Sequence, residues 1–345
     1  MFSYTPVIPE SPYPVLVIGT GGIVKDAHLP AYQMAKIPVW GLYNRSVDRA
    51  QELAETYGIA KVYGNLDTAI AEAPENTVFD IALPASLFAD TLRRLPEGAH
   101  VLIQKPMGED IGQACEILQV CRERKLKAAI NCQLRYAPFV VAARKLIADG
   151  VIGELLDMEM RLTVFTPWHL FPFLEGIPRM EMLYHSVHYV DLIRSFLGEP
   201  RSMMARTVSH PDLPKLASVS STIIMDYPDP VRAQITTNHS HNFGSRHQES
   251  YLKWEGTRGA IKARIGLLMD YPRGVGDVFE YCVREDGKEP QWQALEISGS
   301  WFPEAFMGTM GEVQRHKADL DAGREPAPMP ADVEDVIMTM ACVEA

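Results

Sequence analysis

The stretch Val15-Leu-Val-Ile-Gly19-Thr-Gly21-Gly22-Ile-Val24 decides how the chain is read. Four consecutive apolar residues end in a Gly-x-Gly pair, and an amphipathic segment, Ala27–Lys36, comes next. A run that is apolar at every position fits a strand buried on both faces, the signature of a parallel sheet covered by helices on each side. Glycines just after such a strand let the backbone turn sharply and approach a pyrophosphate, which then rests on the N-terminal dipole of the next helix. Gly19, Thr20, Gly21, Gly22, Ile23 and Val24 are therefore candidate dinucleotide-binding residues. The third position of the pattern, usually Gly or Ala, is Val24, so strand and helix are expected to pack less closely there. A plain tight turn is the competing reading, and the strand–helix alternation of the next hundred residues weighs against it.

Working outward, apolar runs recur at Val39–Tyr43, Val62–Tyr63, Val78–Leu83, Val101–Ile103 and Ala128–Asn131. Amphipathic stretches separate them at Val47–Tyr57, Asp67–Glu72, Leu87–Leu95 and Ile111–Lys125. Strands alternating with helices predict a doubly wound, parallel Rossmann sheet. Ser46 and Asp110 stand where N-caps belong, and Gly58 where a helix stops. Ahead of the sheet, Pro6, Pro9, Pro12 and Pro14 exclude helix and central strand, so residues 1–12 are expected to form an extended arm. After Arg135 the rhythm changes. A helix at Phe139–Asp149, a strand at Leu155–Val164, an aromatic and Pro-rich loop at Thr166–Pro178 and a long helix at Glu181–Leu197 come first. Strand-like runs succeed them at Ser202–Val208, Val219–Met225, Val231–Thr237, Glu249–Trp254, Ala260–Ala263 and Val278–Val283, then helices from Glu304 onward. The fold class is thus α/β, with a dinucleotide-binding domain over residues 13–134. An α+β domain with an open, mostly antiparallel sheet is expected over 135–345, for substrate binding and oligomerisation.

Composition narrows the function classes. The 345 residues are 47% hydrophobic and 22% charged, with Lys+Arg 33 against Asp+Glu 44 and a net charge of −11. That average field repels polyanions, which excludes extended nucleic-acid or anionic-membrane binding. No apolar run approaches the ~18 residues of a membrane helix, and the first residues lack a signal-peptide pattern. Cys115, Cys121, Cys132, Cys282 and Cys342 are five in number, with no Cys-x-x-Cys pair. A reduced, cytoplasmic chain is expected.

Three places carry candidate chemistry. Asn44, 25 residues after Gly19, stands at the end of the second strand, where an acid would bind both ribose hydroxyls and repel a 2′-phosphate. Asn removes that repulsion, and Arg45 and Ser46 come directly after it. Arg45 either contacts a 2′-phosphate or stacks on adenine. The cofactor is NAD or NADP, with the balance toward NADP. Next, Gln104-Lys105-Pro106 closes the fifth strand, at the carboxyl end where open α/β sheets bind ligands; a lysine simply reaching solvent is the alternative. Third, Glu181, Tyr184, His185, His188 and Asp191 keep the i, i+3, i+4, i+7 spacing of one helix face. Leucines are expected on a buried face, and five polar groups there mark a site. Trp168 in the aromatic loop either walls a nicotinamide or sugar, or packs in the core. His239 and His241, with His247 nearby, lack an acidic or cysteine companion and read as pocket-rim or surface residues, so no metal is assigned.

Together these residues resemble the Gfo/Idh/MocA oxidoreductases. The matching elements are Gly19-Thr-Gly21-Gly22, His28-Leu-Pro30, Leu83-Pro84 after the fourth strand, Gln104-Lys105-Pro106 where the family has Glu-Lys-Pro, and His188-x-x-Asp191. The resemblance implies that Lys105 contacts the nicotinamide ribose and the reacting oxygen, and that His188 is the acid/base. It places Leu83, Pro84, Gln104 and Pro106 at the cofactor; Trp168 is a further candidate there or at the substrate from its place in the aromatic loop, and Glu181, Tyr184 and His185 are candidates around the substrate. Two positions depart from the pattern: Gln104 replaces an acid, and Tyr184 stands where the family has the aspartate that orients the histidine. Tyr184 is then a candidate catalytic donor, and His185 and Glu181 candidate replacements for the carboxylate. The implied function is hydride transfer between a nicotinamide and a carbinol of a small neutral sugar, polyol or cyclitol, by a homodimer or homotetramer. The alternatives are an aldehyde or dicarbonyl reductase on the same fold, a non-catalytic sugar- or cofactor-sensing regulator, and, third, a metal hydrolase resting on His239 and His241.

Overall fold

A computed structural model describes residues 2–345, which divide into two compact units. The first comprises Thr5–Tyr136 and Phe302–Glu344; the second comprises Ala137–Trp301 with the first few residues and Ala345. The units interleave in sequence, whereas the sequence reading runs the second domain to residue 345.

The first unit is built on six parallel strands, β1 (Val15–Ile18), β2 (Val39–Tyr43), β3 (Val62–Tyr63), β4 (Val78–Ile81), β5 (His100–Ile103) and β6 (Lys127–Ile130). Their spatial order is β3-β2-β1-β4-β5-β6. Every residue of β1, β4 and β5 is buried, as in strands covered on both faces, with Asp80 and His100 the polar exceptions. The order reverses between β1 and β4, and such a switch point opens a ligand crevice at the strands' carboxyl ends. The covering helices are α1 (Leu29–Met34), α2 (Val47–Tyr57), α3 (Leu66–Glu72), α4 (Phe88–Arg94) and α5 (Ile111–Glu123). Asp110 caps α5, accepting from the Gln113 amide at 2.8 Å, and Gly58 ends α2 in the left-handed conformation. Ser46 occupies the N-cap of α2, but its side chain makes no capping bond.

The C-terminal helices α8 (Glu304–Asp321) and α9 (Val333–Glu344) complete this unit. Phe306, Met307, Met310 and Val313 form one apolar stripe of α8 and join the core around Val15, Val17, Leu29 and Tyr32. Burying such side chains contributes roughly 1.5–3 kcal/mol each, which is why the distant segment belongs here. A helical stripe shows that a helix docks without showing on which sheet, so reading residues 135–345 as one domain put these helices with the second sheet instead. The Pro-rich segment is tied to the same helix. The Tyr13 amide donates to Gln314 Oε1 at 2.7 Å, and Gln314 Nε2 donates back to the Tyr13 carbonyl at 3.1 Å.

The second unit carries an eight-stranded sheet. Its strands are β7 (Leu155–Thr163), β8 (Ser202–Val208), β9 (Ser220–Asp226), β10 (Arg232–Asn238), β11 (Glu249–Gly256), β12 (Gly259–Arg264), β13 (Val278–Val283) and β14 (Trp292–Ala294). The order is β14-β13-β12-β11-β7-β10-β9-β8, antiparallel throughout except for the parallel pair β7–β10. Burial alternates along β9 and β10, so one face meets the core while the other, with Met204, Val208 and Ile224, stays exposed. Helices α6 (Pro138–Ala148) and α7 (Val187–Leu197) belong to this unit. Phe2–Ser3, in the expected arm, pairs in parallel with Ile297–Ser298. Among the described residues no helix is long and apolar enough to cross a membrane.

Candidate active site

In the first unit the loop after β1 has the shape its glycines predict. Gly19 has φ +108°, and a β-carbon there would lie 2.3 Å from the Ala82 carbonyl oxygen, so only glycine fits. Its amide donates to the Tyr43 carbonyl at 2.8 Å, drawing together the ends of β1, β2 and β4. A β-carbon on Gly21 would meet nothing within 4 Å, so this glycine leaves open space above the first helical turn. The buried Thr20 hydroxyl has no hydrogen-bond partner within the protein. Open space, an orphaned hydroxyl and first-turn amides without intrahelical acceptors together fit a pyrophosphate. Val24 is fully buried, and the helix passes through a π turn at Val24–His28 before α1. Val24 joins the core cluster of this unit with Val15, Val17 and Ala27.

At the end of β2, Asn44 Nδ2 donates to the Ser46 carbonyl at 2.8 Å, which leaves the Asn44 side-chain oxygen as an acceptor. Arg45 and Ser46 are exposed. Leu83 comes up beside Gly19, its Cδ2 3.2 Å from the position of a β-carbon there, and Pro84 is exposed. After β5, Gln104 is buried and its Oε1 accepts the Lys105 amide at 2.8 Å. Lys105 is half-buried, Pro106 is buried, and the peptide between them is cis. Burial brings the Lys105 ammonium down to about 8, with Cys132 opposing the shift weakly.

The sequence reading missed what lies beneath Gln104. His28 Nδ1 is 2.7 Å from Asp80 Oδ2, and His28 Nε2 is 3.3 Å from both Gln104 Nε2 and Asn131 Nδ2. Tyr32 donates to the same Asp80 oxygen at 2.7 Å, and Thr309 donates to Asn131 Oδ1 at 2.7 Å. An aspartate inside the apolar run Val78–Ile81 was the available signal, because a buried carboxylate without a partner is too costly to keep.

In the second unit the polar stripe is split. The helix is not α-helical over Met182–Ser186 but a π turn, continued by α7. One extra residue per turn rotates the later side chains off the face that α-helical spacing assigns to them. Glu181 is fully buried; its Oε1 accepts from Ser186 and Thr237, each at 2.8 Å, and burial raises its pKa. His185 stacks on His239 with centroids 4.3 Å apart, and Trp168 meets both rings at 5.6 and 5.8 Å. Trp168 also packs on the cluster of Leu174, Met180, Leu216 and Val219. Tyr184 lies against Phe173 at 5.9 Å, and His188 stands edge-on to Trp301 at 5.2 Å and 88°. Thr237, His239 and Trp301 are thus neighbours of the candidate residues, and none was assigned to the site from sequence.

His239 is a correction to its expected rim or surface placement. It is only 2% exposed: it directly follows β10, whose Thr237 reaches Glu181, and its ring lies against His185 of the π turn. Its Nδ1 is 3.0 Å from Thr166 Oγ1, and burial pushes it down to about 3. Among the described residues no group of three metal-ligating side chains forms. The buried imidazole carries a pH prediction. Its folded pKa lies below the unfolded value, so the unfolded chain binds a proton first as pH falls through 6.5. Stability present above pH 6.5 is then lost toward pH 3, by at most about 1.4 kcal/mol per pH unit. Urea titrations from pH 7 to 4 should show a shallower loss for His239→Asn than for wild type; parallel curves would refute it.

Comparison with known proteins agrees with these two units. A family model described as the oxidoreductase family with an NAD-binding Rossmann fold matches residues 14–132, and the GFO/IDH/MocA C-terminal domain matches residues 140–262. The chain belongs to the Gfo/Idh/MocA family of oxidoreductases. It is similar to D-xylose 1-dehydrogenase (NADP(+)) 2 of Haloferax volcanii, 23% identical over 260 residues, covering 74% of this chain and 76% of that protein. It is also similar to dTDP-3,4-didehydro-2,6-dideoxy-alpha-D-glucose 3-reductase of Actinomadura kijaniata, 31% identical over 156 residues, 45% of this chain and 46% of that one. The chain spans about half the length of several curated relatives that it matches, 59% of one and 38% of another. Among solved structures, an Agrobacterium radiobacter oxidoreductase in complex with NAD+, L-tartaric acid and magnesium superposes with a TM-score of 0.77 at 18% identity, covering 97% of this chain and 95% of that one. That likeness shows a shared fold.

Proposed function

We propose that this chain is an NAD(P)-dependent dehydrogenase that transfers hydride between a nicotinamide and a carbinol of a neutral sugar, polyol or cyclitol, with Lys105 and His188 as the catalytic pair. The observation that carries this reading is the lysine at the end of β5, on a turn fixed by Gln104 and with an ammonium brought down to about 8 by burial. A cation there stabilises negative charge as it develops on a reacting oxygen. Gly19–Val24 would hold the pyrophosphate, Asn44, Arg45 and Ser46 the adenosine ribose, and Leu83, Pro84, Gln104, Pro106 and Trp168 the nicotinamide half. The cofactor supplies the hydride acceptor or donor. In the oxidative direction His188 takes the carbinol O–H proton while the C–H hydrogen leaves with its electron pair, and a carbonyl forms. Lys105 balances the charge on that oxygen, and Tyr184 donates a hydrogen bond to it. Glu181, whose pKa burial raises, together with Ser186, Thr237 and the buried His239 that burial pushes down to about 3, makes surroundings suited to hydroxyl groups rather than phosphates.

The exposed Arg45 beside Asn44 supports NADP over NAD. Arg45→Ala is expected to weaken NADP binding about 10–100-fold, the worth of a charge-assisted contact, and to leave NAD unchanged. Equal losses for both nucleotides would mean stacking on adenine instead, and no loss would remove Arg45 from the site. The similarity to the Actinomadura kijaniata ketosugar reductase favours a second reading, reduction of a carbonyl on the same scaffold. Absorbance at 340 nm with alcohol and carbonyl panels, run in both directions, separates the two. No change with any compound would point to a sensing role.

The exposed apolar side chains Met204, Val208 and Ile224 on the outer face of β8 and β9 support a homodimer or homotetramer formed through this sheet. Ile224→Lys is then expected to sediment as a smaller species than wild type. The free thiols of Cys115, Cys121 and Cys282 support a cytoplasmic setting.

A further inference from the structure

The first unit contains a chain of buried polar groups that hydride transfer does not itself require. It starts at Asp80, runs through His28, and reaches the backbone of Lys105 by way of Gln104. Asp80 and His28 are 0% exposed and Gln104 is 7% exposed, so water does not substitute for any link. The backbone amide of Lys105, which can only donate, sets the direction of the hydrogen bonds. The Lys105 amide donates to Gln104 Oε1, so Gln104 presents its NH2 to His28 Nε2. Asn131, whose Oδ1 lies 2.7 Å from the Thr309 hydroxyl, has its Nδ2 3.3 Å from the same nitrogen. Two donors at Nε2 leave that nitrogen as acceptor, and the proton of a neutral imidazole then sits on Nδ1, where Asp80 Oδ2 accepts it. Tyr32 donates to that oxygen as well, and the Phe306 ring lies 5.0 Å from the imidazole. The π turn at Val24–His28 is what carries His28 into this position directly after the nucleotide loop.

We infer that His28 and Asp80 are positioning residues for Lys105, acting through the Gln104 side chain. The inference rests on the reading of Lys105 as catalytic. It also accounts for Gln104 in place of the acid found in Glu-Lys-Pro. An amide donates to His28 and accepts from Lys105 at once, whereas a carboxylate only accepts. A neutral imidazole already facing Asp80 has no second proton for it.

The test is a double-mutant cycle in the intact protein with an active sugar substrate. His28→Phe keeps the packing on Phe306 and removes both hydrogen bonds. It is expected to lower kcat about 10–100-fold, the scale of a small misplacement of a catalytic group, while KM and NAD(P) affinity stay within a few-fold. Gln104→Leu, the last link, should lower kcat on the same scale and serves if His28→Phe does not fold; its NAD(P) affinity is not a control, because Gln104 also lines the proposed nicotinamide site. In the cycle, His28→Phe combined with Lys105→Met should be no slower than Lys105→Met alone, because a residue acting through Lys105 has nothing left to act on. Asp80→Asn keeps an acceptor for the Nδ1 proton and should recover most of the activity that Asp80→Leu loses. Additive losses in the cycle, or equal losses for the two Asp80 variants, would overturn the inference and leave Lys105 catalytic. Wild-type turnover by Lys105→Met would instead sink the reading beneath it.

Discussion

Lys105→Met is expected to lower kcat/KM about 10²–10³-fold across a panel of aldoses and cyclitols, the loss typical of removing one preorganised group from a developing oxyanion. Methionine keeps the length and the apolar stem, so the change is close to pure loss of charge. NAD(P) affinity should fall less than kcat/KM, because in the proposed site the Gly19–Val24 loop holds the pyrophosphate and Lys105 reaches only the nicotinamide ribose. The wild-type pH profile gives a second reading of the same group. With the ammonium down at about 8, its charge is complete below that pH and lost as pH rises through it, so turnover should fall on the alkaline side. Lys105→Arg keeps its charge far above pH 8 and should flatten that limb, though a planar guanidinium will not restore the full rate. Wild-type rates for Lys105→Met on every substrate turned over would take the lysine out of the chemistry.

Much of the first unit was legible because its signals are local. An apolar run ending in Gly-x-Gly needs no distant partner to be read, and β1, β2 and β3 fall on the expected residues. The lysine was legible too, as a charged residue at the end of a buried strand. What escaped the sequence depends on geometry set elsewhere. The π turn at Met182–Ser186 breaks the 3.6-residue period on which the one-face reading of Glu181, Tyr184, His185 and His188 relied. His239 looked peripheral because strand alternation does not say which face lies under a helix. Asp80 was hidden inside a run read as apolar, and its partner His28 served only as a family match. Phe306 and Met310 reach the first unit's core across nearly the whole chain, a contact that no local pattern encodes.

His188→Asn is expected to cost about 10²–10⁴-fold in kcat, the usual worth of a positioned general acid–base. Asparagine holds hydrogen bonds but takes up no proton in the working pH range, so the substitution isolates proton transfer from binding. His188 is 8% exposed and stands edge-on to Trp301, which restricts the ring to a narrow set of orientations. A restrained imidazole is what proton transfer coupled to hydride departure needs, since each lost orientation would have to be recovered in the barrier. The prediction therefore extends to isotope effects. With substrate deuterated at the carbinol carbon, His188→Asn should show a larger kinetic isotope effect on kcat than wild type, because slowing the chemical step makes it limit turnover. Tyr184→Phe discriminates the roles: a smaller loss than His188→Asn assigns the tyrosine to hydrogen bonding at the oxygen, and a larger loss with His188→Asn near wild type moves the acid–base function to Tyr184. That second outcome would overturn the Lys105–His188 pair while leaving hydride transfer in place.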